Sequence, residues 1–557
     1  MARQYSLTAA LLGAGIVQVE RAKTMLTALM QACEGLDPSI LIEDLSQVGD
    51  PDLALLSLTR IVEEDSRHPC GVGEFISAQG VGRRTLRLLG ASEFFGNYLV
   101  THPDVLFSLE QDPDPSTFLT QMLQSVGASD IFATQNAAPT ETETTASPRS
   151  ITPQSKTSPQ TETTASPRST PCWVADAQAD VLELRRTYYR CLAQIADLAR
   201  DGVEGAKAAF APTAAAISDL VDATLEAVLA LARCRHDPAG AVAFTVIAMG
   251  KTGARELNYI SDVDVIYIAQ PAPHANISSE DATRIGTQMA MTLGNLCSRS
   301  MQEPALWALD AALRPEGKDG ALVRPLDSHL EYYARWAKAW EFQALLKARP
   351  AAGDRALGQA YVQALAPKVW QAVEREGFVE ETRAMRRRVE RTLEPDKAQR
   401  EIKLGIGGLR DVEFTVQLLQ LVHGRVDASL RVTATLDAIR VLVDGGYIAR
   451  DQGEQMADHY RFLRVLEHRT QLYRMRRTHL FPQGAQLRRV GRSIDVSAFG
   501  DDDGAALSRQ WREVRSRVRD LHEEIYYRPL LPAMAKLSAS EAALVPSPIM
   551  TAMGRGA

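Results

Sequence analysis

The sequence has few cysteines, and no two of them are spaced like the ligands of a zinc ribbon. Its six cysteines are Cys33, Cys70, Cys172, Cys191, Cys234 and Cys297. No pair has CxxC spacing, and the scattered positions do not resemble a disulfide framework. The absence of both patterns predicts reduced thiols and a cytoplasmic protein.

Long apolar runs and an excess of basic residues are also missing. No stretch of about 18 consecutive apolar residues occurs, so the sequence predicts no membrane-spanning helix. The formal net charge of −7 argues against a dedicated nucleic-acid binder, although local basic patches remain open. Residues 1–23 contain a short apolar stretch followed by charges without a convincing cleavage site. They predict an amphipathic helix rather than a signal peptide.

The composition that is present suits several folded units. The chain has 557 residues, of which 45% are hydrophobic and 24% are charged, as in an ordinary globular protein. A chain of this length predicts three or four domains.

Changes in composition along the chain divide it into five predicted regions. These are a helical N-terminal region (1–110), a disordered low-complexity insertion or linker (111–173), a domain with leading helices (174–350), a helical domain (351–530) and a linker or tail (531–557). The insertion is rich in Ser, Thr, Pro and Glu and repeats TETTASPRS at 142–150 and 161–169. Such a composition cannot bury enough apolar surface to offset the entropy of ordering. The tail is typical of a linker interior, which predicts that the chain is truncated or incomplete.

The third region alternates strand-like and helix-like segments and is predicted to be a small α/β unit. The strand candidates are AVAFTVIAM (241–249), DVIYIA (264–269), the weaker ALWALDAAL (305–313) and GALVRP (320–325). The segment 328–350 carries apolar residues on one helical face and is predicted to be a helix ending at Pro350. The fold class is therefore α+β, a mostly helical chain with one small α/β domain followed by an all-helical domain.

Two aspartates, Asp262 and Asp264, stand in RELNYISDVDVIYI at the start of a predicted strand. Because side chains alternate along a strand, both carboxylates point to one face. Like charges so close repel each other unless a cation lies between them, and hard oxygen ligands suit Mg²⁺ or Mn²⁺. Asp310, on the next plausible strand, is the best candidate for a third carboxylate of a two-metal site.

A glycine-containing turn, MGKTGARELN, precedes the acidic pair. Gly250 would let backbone N–H groups approach phosphate oxygens, and Lys251 adds a positive charge. Arg314, which follows Asp310, is a candidate phosphate contact or structural partner. The spacing is not that of a P-loop, so the prediction rests on the order of strand, glycine turn, short helix and Asp-x-Asp.

The stretch MGKTGARELNYISDVDVIYI resembles the signature of the glutamine synthetase adenylyltransferase/adenylyl-removing enzyme family, within the DNA polymerase β-like nucleotidyltransferases. LDAALRPEGKDGALVRP, YYARWAKAWEFQALLKARPAAGD and IKLGIGGLRDVEFTVQLLQLVHG continue the resemblance over roughly residues 180–480. The resemblance implies a polymerase β-like nucleotidyltransferase domain, with Asp262, Asp264 and Asp310 as catalytic metal ligands. It also implies that Gly250, Lys251, Arg314, Lys347 and Arg349 face nucleotide or phosphate.

The second glycine motif, GIGGLRDVEF, does not fit a dinucleotide-binding fingerprint, because Arg410 stands where the last glycine is required. It is better explained as a turn that leads into a helix. Arg410, Asp411 and Glu413 form a candidate polar motif of the helical domain, and Arg410, Glu413 and Gln417 form a polar stripe along the helix. They either contact nucleotide or protein substrate, or form an internal ion pair.

The resemblance implies AMP transfer between a nucleotide and a tyrosine of glutamine synthetase, with Mg²⁺ or Mn²⁺ and with ATP, ADP and phosphate as substrates or products. Because the chain holds one such unit after a helical N-terminus, we predict the adenylyl-removing half, which forms ADP by phosphorolysis. Glutamine synthetase is then the protein partner, together with a nitrogen-signalling regulatory protein. Two alternatives remain: a nucleotidyltransferase acting on RNA or another protein, and a non-catalytic nucleotide-binding regulatory module.

Overall fold

The computed structural model describes residues 7–132, 171–196, 202–391, 393–494 and 502–527. Its first part consists of short helices, as the sequence predicts for this region. They are α1 (Leu7–Gly13), α2 (Val19–Ala32), α3 (Pro38–Leu45), α4 (Pro51–Arg67), α5 (Val72–Gln79), α6 (Arg83–Ala91), α7 (Glu93–Thr101), α8 (Leu106–Leu109) and α9 (Phe118–Ser125). Several begin at a capping side chain, as where Asp50 accepts a hydrogen bond from the N–H of Leu53 at the start of α4.

The prediction of a disordered insertion over 111–173 is wrong at the N-terminal end of that range. Helix α9 lies inside that range, and strand β1 (Ser129–Asp130) pairs antiparallel with β2 (Trp173–Val174). Phe118 and Met122 of α9 are buried in the core, which explains why this segment folds although its flanks are polar. The TETTASPRS repeat lies outside the described residues.

Two helices connect the N-terminal region to the sheet: α10 (Val181–Ile195) and α11 (Gly202–His236). Helix α11 has 35 residues, so it is about 50 Å long and passes through two hydrophobic cores. Its second half contributes Leu225 and Val228 to the N-terminal core, which also contains the residues of α4 and α10. Its first half contributes Phe210 to a C-terminal core.

The central sheet contains five strands: β3 (Val242–Ala248), β4 (Val263–Pro271), β5 (Leu309–Asp310), β6 (Val323–Arg324) and β7 (Arg349–Gly353). Their order is β5-β4-β3-β7, and β6 also pairs with β4. Strand β3 is antiparallel to β4 and β7, whereas β4 is parallel to β5 and β6. All four strand candidates of the sequence are therefore confirmed, and the α+β class with them.

The sheet is buried on both faces because its strands carry apolar residues at successive positions. Val263, Val265 and Tyr267 of β4 belong to the N-terminal core, packed with α11 and α13 (Ser279–Ser298). Ile266 and Ile268, on the opposite face, form a middle core with the helices that follow the sheet. This alternation leaves the start of β4 as the place where a polar side chain reaches the sheet surface.

Strand β7 contradicts the prediction of one helix over 328–350. That segment forms two shorter helices, α14 (Leu326–Arg335) and α15 (Ala339–Leu345), and Arg349 lies in a strand rather than at a helix end. The sequence RPAAG has low strand propensity, so the pairing of β7 with β3 decides its conformation. Pro350 is tolerated because β7 is the edge strand of the sheet.

The remaining chain is helical, as predicted, and packs against the middle and C-terminal cores. Its helices are α16 (Arg355–Gln371), α17 (Phe378–Arg391), α18 (Pro395–Ala398), α19 (Leu409–His423), α20 (Thr435–Asp444), α21 (Arg450–Leu472), α22 (Gly484–Ser493) and α23 (Asp503–His522), followed by a π-helical turn at Glu523–Tyr527. Across the described ranges, no helix has the length and apolar character needed to cross a membrane.

Helix α10 is fixed to the end of α13 by one buried side chain. The guanidinium of Arg185, which is fully buried, donates to the backbone carbonyls of Leu296, Arg299 and Glu303 at 2.8–3.1 Å. We expect Arg185→Met to lower the free energy of unfolding by about 3 kcal/mol, because it leaves buried carbonyl groups without donors.

Urea denaturation measures this change, with Arg284→Met as the control. Arg284 lies on the exposed side of α13, where it pairs with Asp281, so its replacement should change stability by less than about 0.5 kcal/mol. Equal effects of the two substitutions would contradict the structural role of Arg185.

Candidate active site

The acidic residues predicted to hold a metal lie at the start of β4 and on β5. Asp264 and Asp310 occupy paired positions of these two parallel strands, so their side chains leave the same face of the sheet next to each other. The pKa of the Asp264 carboxyl is raised to about 6, mainly by burial and also by the nearby carboxylates of Asp310 and Asp262, against the effect of Lys403 and Arg410. The net increase in this pKa indicates that the nearby positive charge does not offset the burial of Asp264 and its repulsion by the neighbouring carboxylates.

Asp262 does not complete a three-carboxylate cluster. Its side chain forms an ion pair with Arg477, which follows α21. Within the part of the chain that the structure describes, no three His, Cys, Asp or Glu side chains lie close enough together to enclose a metal ion. The predicted triad is thus a pair, Asp264 and Asp310, with Asp262 held by a cation from the helical region.

The pair nevertheless has the donor chemistry that Mg²⁺ requires. The cation binds proteins through one or two carboxylates and completes its coordination with water and phosphate oxygens. Asp264 and Asp310 supply such oxygen ligands on one sheet face, and the raised pKa of Asp264 indicates that a cation would be favoured there. These two residues fit a divalent metal without any further protein ligand.

Gly250 is required by the position of Asp264. Helix α12 (Gly250–Gly253) begins directly after β3, and Gly250 has φ +53°, a conformation that favours glycine. A Cβ atom built at this position would lie 2.3 Å from Oδ2 of Asp264. The backbone of the turn and the carboxylate are therefore in direct contact, as the order of the motif predicts.

A cavity of about 450 Å³ opens above this contact, between the sheet and the helical region. Part of its wall is apolar or aromatic and part is charged. Its lining consists of Gly250, Lys251, Asp264, Leu313, Trp340, Gln343, Ala344, Lys347, Met385, Lys403, Leu404, Arg410, Glu413, Phe414 and Gln417. The cavity brings together the glycine turn, one acid of the pair, Lys347 and the polar motif of the helical region.

Lys251 lines the cavity but already has a protein partner. Its ammonium group donates to both carboxylate oxygens of Glu467, on α21, at 2.9 and 3.0 Å. The pKa of Lys251 is lowered to about 7, mainly by burial and also by the nearby Arg464, against the effect of Glu467. The side chain predicted to contact phosphate thus joins the glycine turn to the helical region.

Lys347 is also engaged by the protein. Its ammonium group lies 3.2 Å from Glu256 and 3.3 Å from the hydroxyl of Thr435, the first residue of α20. Glu256 in turn accepts hydrogen bonds from the backbone and side chain of Thr435. Lys347 therefore lies at the cavity within a buried network that connects three segments.

Arg314 and Arg349 do not reach the cavity. The guanidinium of Arg314 donates to the backbone carbonyls of Ala311, Lys318 and Gly320, which closes the loop after β5. Arg349 forms an ion pair with Asp222 of α11 and donates to two carbonyl groups of α12. The two arginines have structural roles here because the loop and the sheet edge turn them away from the carboxylate pair.

The polar motif of the helical region divides into two parts. Arg410 and Glu413 lie at the cavity and contact each other at 3.2 Å. Burial raises the pKa of Glu413, but Arg410, Lys347, Lys251 and Lys403 together lower it to about 2. Asp411 points the other way and forms a buried ion pair with Arg386 at 2.6 Å, so it stabilises the fold rather than the cavity.

Several cavity residues were missed by the sequence analysis. Lys403 lies in the quoted IKLGIGGLRD stretch, and Trp340 and Gln343 lie in the quoted WAKAWEFQALL stretch. Phe414, also missed, lies beneath the guanidinium of Arg410. Gln417, which the sequence places on the polar stripe of the helix, lines the cavity and accepts a hydrogen bond from Gln343 at 2.7 Å. The sequence shows that these residues belong to the quoted motifs, but it does not show which of their side chains face the cavity.

Comparison with known proteins finds a match for the segment that contains the carboxylate pair. Residues 119–364 match the family model described as glutamate-ammonia ligase adenylyltransferase. This matched segment begins within α9 and includes the whole sheet, in agreement with the folded state of the segment before β2.

The helical region that follows has its own match. Residues 382–526 match the family model described as GlnD PII-uridylyltransferase. The cavity thus lies between the two matched segments, and the second one contributes Lys403, Arg410 and Glu413.

Curated relatives resemble nearly the whole chain. The bifunctional glutamine synthetase adenylyltransferase/adenylyl-removing enzyme of Streptomyces avermitilis is 43% identical over 98% of this chain and 49% of the relative. Enzymes of the same name from Streptomyces coelicolor and Cutibacterium acnes are 42% and 40% identical, over 98% and 97% of this chain and 50% and 51% of the relatives. The chain spans about half the length of the curated relatives it matches.

The raised pKa of Asp264 predicts a pH-dependent effect of Asp264→Asn on the metal-free protein. Unfolding returns the carboxyl to its ordinary pKa, so the native state loses stability as the pH rises through the folded pKa of about 6. The amide that replaces the carboxyl does not titrate. We therefore expect Asp264→Asn to leave stability unchanged near pH 4 and to raise it at pH 7.5 by an amount on the order of 2 kcal/mol.

Urea unfolding in EDTA at the two pH values measures this difference. Asp281→Asn is the control, because Asp281 is exposed at the start of α13. A stabilisation by Asp264→Asn that is equal at both pH values would show that the carboxylate is not strained by its surroundings.

The contact between Gly250 and Asp264 predicts that Gly250→Ala destabilises the protein by about 1–3 kcal/mol. The new methyl group would occupy the space of Oδ2 of Asp264, and the positive φ is unfavourable for alanine. Gly294→Ala is the matched control: Gly294 lies within α13 with nothing within 4 Å of an added Cβ, so the change should stabilise by up to about 1 kcal/mol. Thermal denaturation should show shifts of opposite sign.

Proposed function

We propose that the cavity binds a nucleotide and that the carboxylate pair promotes AMP transfer between that nucleotide and a tyrosine of glutamine synthetase. One observation carries the proposal: Asp264 and Asp310 are adjacent on one sheet face at the edge of a cavity lined by Lys347, Lys403 and Arg410. Acids that hold a metal, beside cations that neutralise phosphate charge, are the arrangement that phosphoryl transfer requires. The names of the relatives supply the protein substrate.

The apolar side of the cavity suits a nucleobase. Trp340, Phe414 and Met385 provide flat or adaptable apolar surface, and such walls with a few polar groups are typical of small-molecule sites. In the described part of the chain, Oε1 of the buried Glu413 has no hydrogen-bond partner. A ribose hydroxyl or an amino group of the base would satisfy that acceptor, and its satisfaction would favour nucleoside binding.

Mg²⁺ held by Asp264 and Asp310 would neutralise phosphate charge and orient the reacting oxygens. The chain's own cations add to this neutralisation, and they are positioned before the substrate arrives because Lys251 and Lys347 are fixed by buried carboxylates. Gly250 allows the turn after β3 to lie against Asp264 and so keeps that carboxylate in place.

We propose the removing direction for this chain. An oxygen of inorganic phosphate attacks the phosphorus of AMP-tyrosine, the bond between phosphorus and the tyrosine oxygen breaks, tyrosine takes up a proton, and ADP leaves. The side chains of the cavity serve both directions, so the support is the arrangement: one nucleotidyltransferase sheet preceded by the helices α1–α9, as the resemblance implies for the removing half.

A nitrogen-signalling regulatory protein is part of the same proposal. Helix α21 supplies Glu467 to Lys251, and α19 supplies Arg410 and Glu413 to the cavity. A partner that shifted either helix would therefore change the site directly.

The sequence feature that favours the alternative of an RNA substrate is the arginine-rich stretch 461–492. Many of those arginines have partners within the protein: Arg464 contacts Asn258, Arg474 contacts Glu93, Arg477 contacts Asp262, and Arg489 contacts Asp50. These contacts account for the basic residues without a nucleic acid.

We expect the purified protein, with Mg²⁺ and phosphate, to release ADP from AMP-modified glutamine synthetase. Asp264→Asn should slow this release at least about 100-fold, because it removes a carboxylate that holds the metal charge at the phosphate. Quantification of ADP by chromatography measures the rate, and Asp281→Asn should retain wild-type activity.

Three outcomes would change the proposal. AMP addition from ATP without ADP release would assign the opposite direction. Nucleotide binding without either reaction would favour a non-catalytic regulatory module. Wild-type release by Asp264→Asn would mean that the carboxylate pair is not the reaction centre.

A further inference from the structure

Most cationic side chains of the cavity are already neutralised by a carboxylate of the protein. Lys251 is paired with Glu467, Lys347 with Glu256, and Arg410 with Glu413. Each of these pairs reduces the positive charge that is available to a ligand. The predicted phosphate contacts at these positions are therefore weaker than their number suggests.

Lys403 differs from the other cations of the cavity. Its side chain lines the cavity and is partly buried, yet among the described residues its ammonium group has no hydrogen bond and no ion pair. Burial lowers the pKa of this ammonium group and so does Arg410, whereas the more distant charges of Glu467, Glu413 and Asp264 raise it, with a net lowering. A cation that is removed from water without a partner is unfavourable in the empty site, which indicates that its partner is a ligand.

The backbone around Lys403 is held rigidly. The N–H of Ile402 donates to the carbonyl of His479 at 2.7 Å, and the carbonyl of Lys403 accepts from the N–H of Arg410 at 2.9 Å. Lys403 therefore stands on a fixed loop between α18 and α19.

The glycines of GIGGLRD make this loop possible. Gly407 has φ +72°, and a Cβ atom at Gly408 would lie 2.5 Å from the carbonyl oxygen of Ile402. Close backbone packing of this kind requires glycine. The motif that fails as a dinucleotide fingerprint thus forms the turn that presents Lys403.

We propose that Lys403 binds a phosphoryl oxygen of the nucleotide, opposite the carboxylate pair, and is the main protein cation for that group. Asp264 and Lys403 both line the cavity, and among the described residues no ion pair joins them, so a phosphoryl group would bridge the metal at Asp264 and the ammonium of Lys403. An ammonium without an ion pair keeps more of its charge for the ligand than the paired cations do. The inference rests on the proposed nucleotide site and adds a specific residue to it.

The experiment compares ADP, AMP and adenosine as ligands of the full chain by isothermal titration calorimetry with Mg²⁺ present. Lys403→Met should weaken ADP and AMP binding at least about tenfold, because a charge-assisted hydrogen bond is lost, and should leave adenosine binding unchanged. Lys403→Arg should stay within about threefold of wild type. Lys397→Met, on the exposed helix α18 where Lys397 pairs with Glu394, is the matched control.

Thermal denaturation separates this role from a structural one. Removing an unpaired, partly buried ammonium should leave the melting temperature of the ligand-free protein unchanged or higher. A lower melting temperature together with an equal loss of adenosine affinity would assign Lys403 to the fold and overturn the proposal, as would wild-type ADP affinity in Lys403→Met.

Failure of this inference is distinguishable from failure of the proposed function. If wild-type protein releases ADP from modified glutamine synthetase and Lys403→Met binds ADP normally, only the role of Lys403 is wrong. If wild-type protein binds ADP through Lys403 but transfers no AMP, the phosphoryl contact is supported and the proposed reaction is wrong.

Discussion

The buried ion pair between Lys251 and Glu467 is the interaction on which the arrangement of the cavity depends. It joins the turn after β3 to α21, two segments separated by 216 residues in the chain. Arg464, on the same helix, donates to the carbonyl of Glu256 and to Asn258, which anchors the loop before β4 as well. Removal of one charge of such a buried pair leaves the other uncompensated, at a cost of about 3–5 kcal/mol. The two domains that enclose the cavity are therefore fixed relative to each other by charges rather than by apolar packing alone.

The same principle organises the rest of the cavity. Lys347 is held by Glu256 and Thr435, and Arg410 is held by Glu413, so segments from the sheet and from α19 and α20 converge on one space. Fixed charges need no reorganisation when a substrate binds, which is the physical basis of electrostatic preorganisation. Two groups depart from this pattern: the carboxylate pair on β4 and β5, and the ammonium of Lys403. Unsatisfied charge at these positions is consistent with a site that is completed by metal and phosphate.

Asp262 shows how the helical region also acts on the acidic residues. Its contact with Arg477 keeps it apart from the other two carboxylates, although strand alternation places it on the same face as Asp264. The contact neutralises one of three like charges at the start of β4. The ion pair therefore reduces the repulsion among the three carboxylates, and it occupies Asp262, which the sequence predicted as a metal ligand.

The sequence by itself determined where strands β3 to β6 lie along the chain, the α+β class, and the position of Gly250 close before an acidic strand start. These features follow from local rules: side chains alternate along a strand, and a positive φ requires glycine. It did not predict β7, because RPAAG has low strand propensity and becomes a strand only by pairing with β3.

Only the tertiary structure decided which charged residues serve the cavity. Arg314 and Arg349 were predicted to face nucleotide or phosphate and have structural partners elsewhere, whereas Lys403 was missed and lies in the cavity wall. For Asp411, the internal ion pair was one of two open alternatives, and its partner is Arg386. The reason is that the role of a charged side chain depends on its partner. Such partners as Glu467 for Lys251 and Asp222 for Arg349 are distant in the sequence, and only the packing of sheet against helices brings them together.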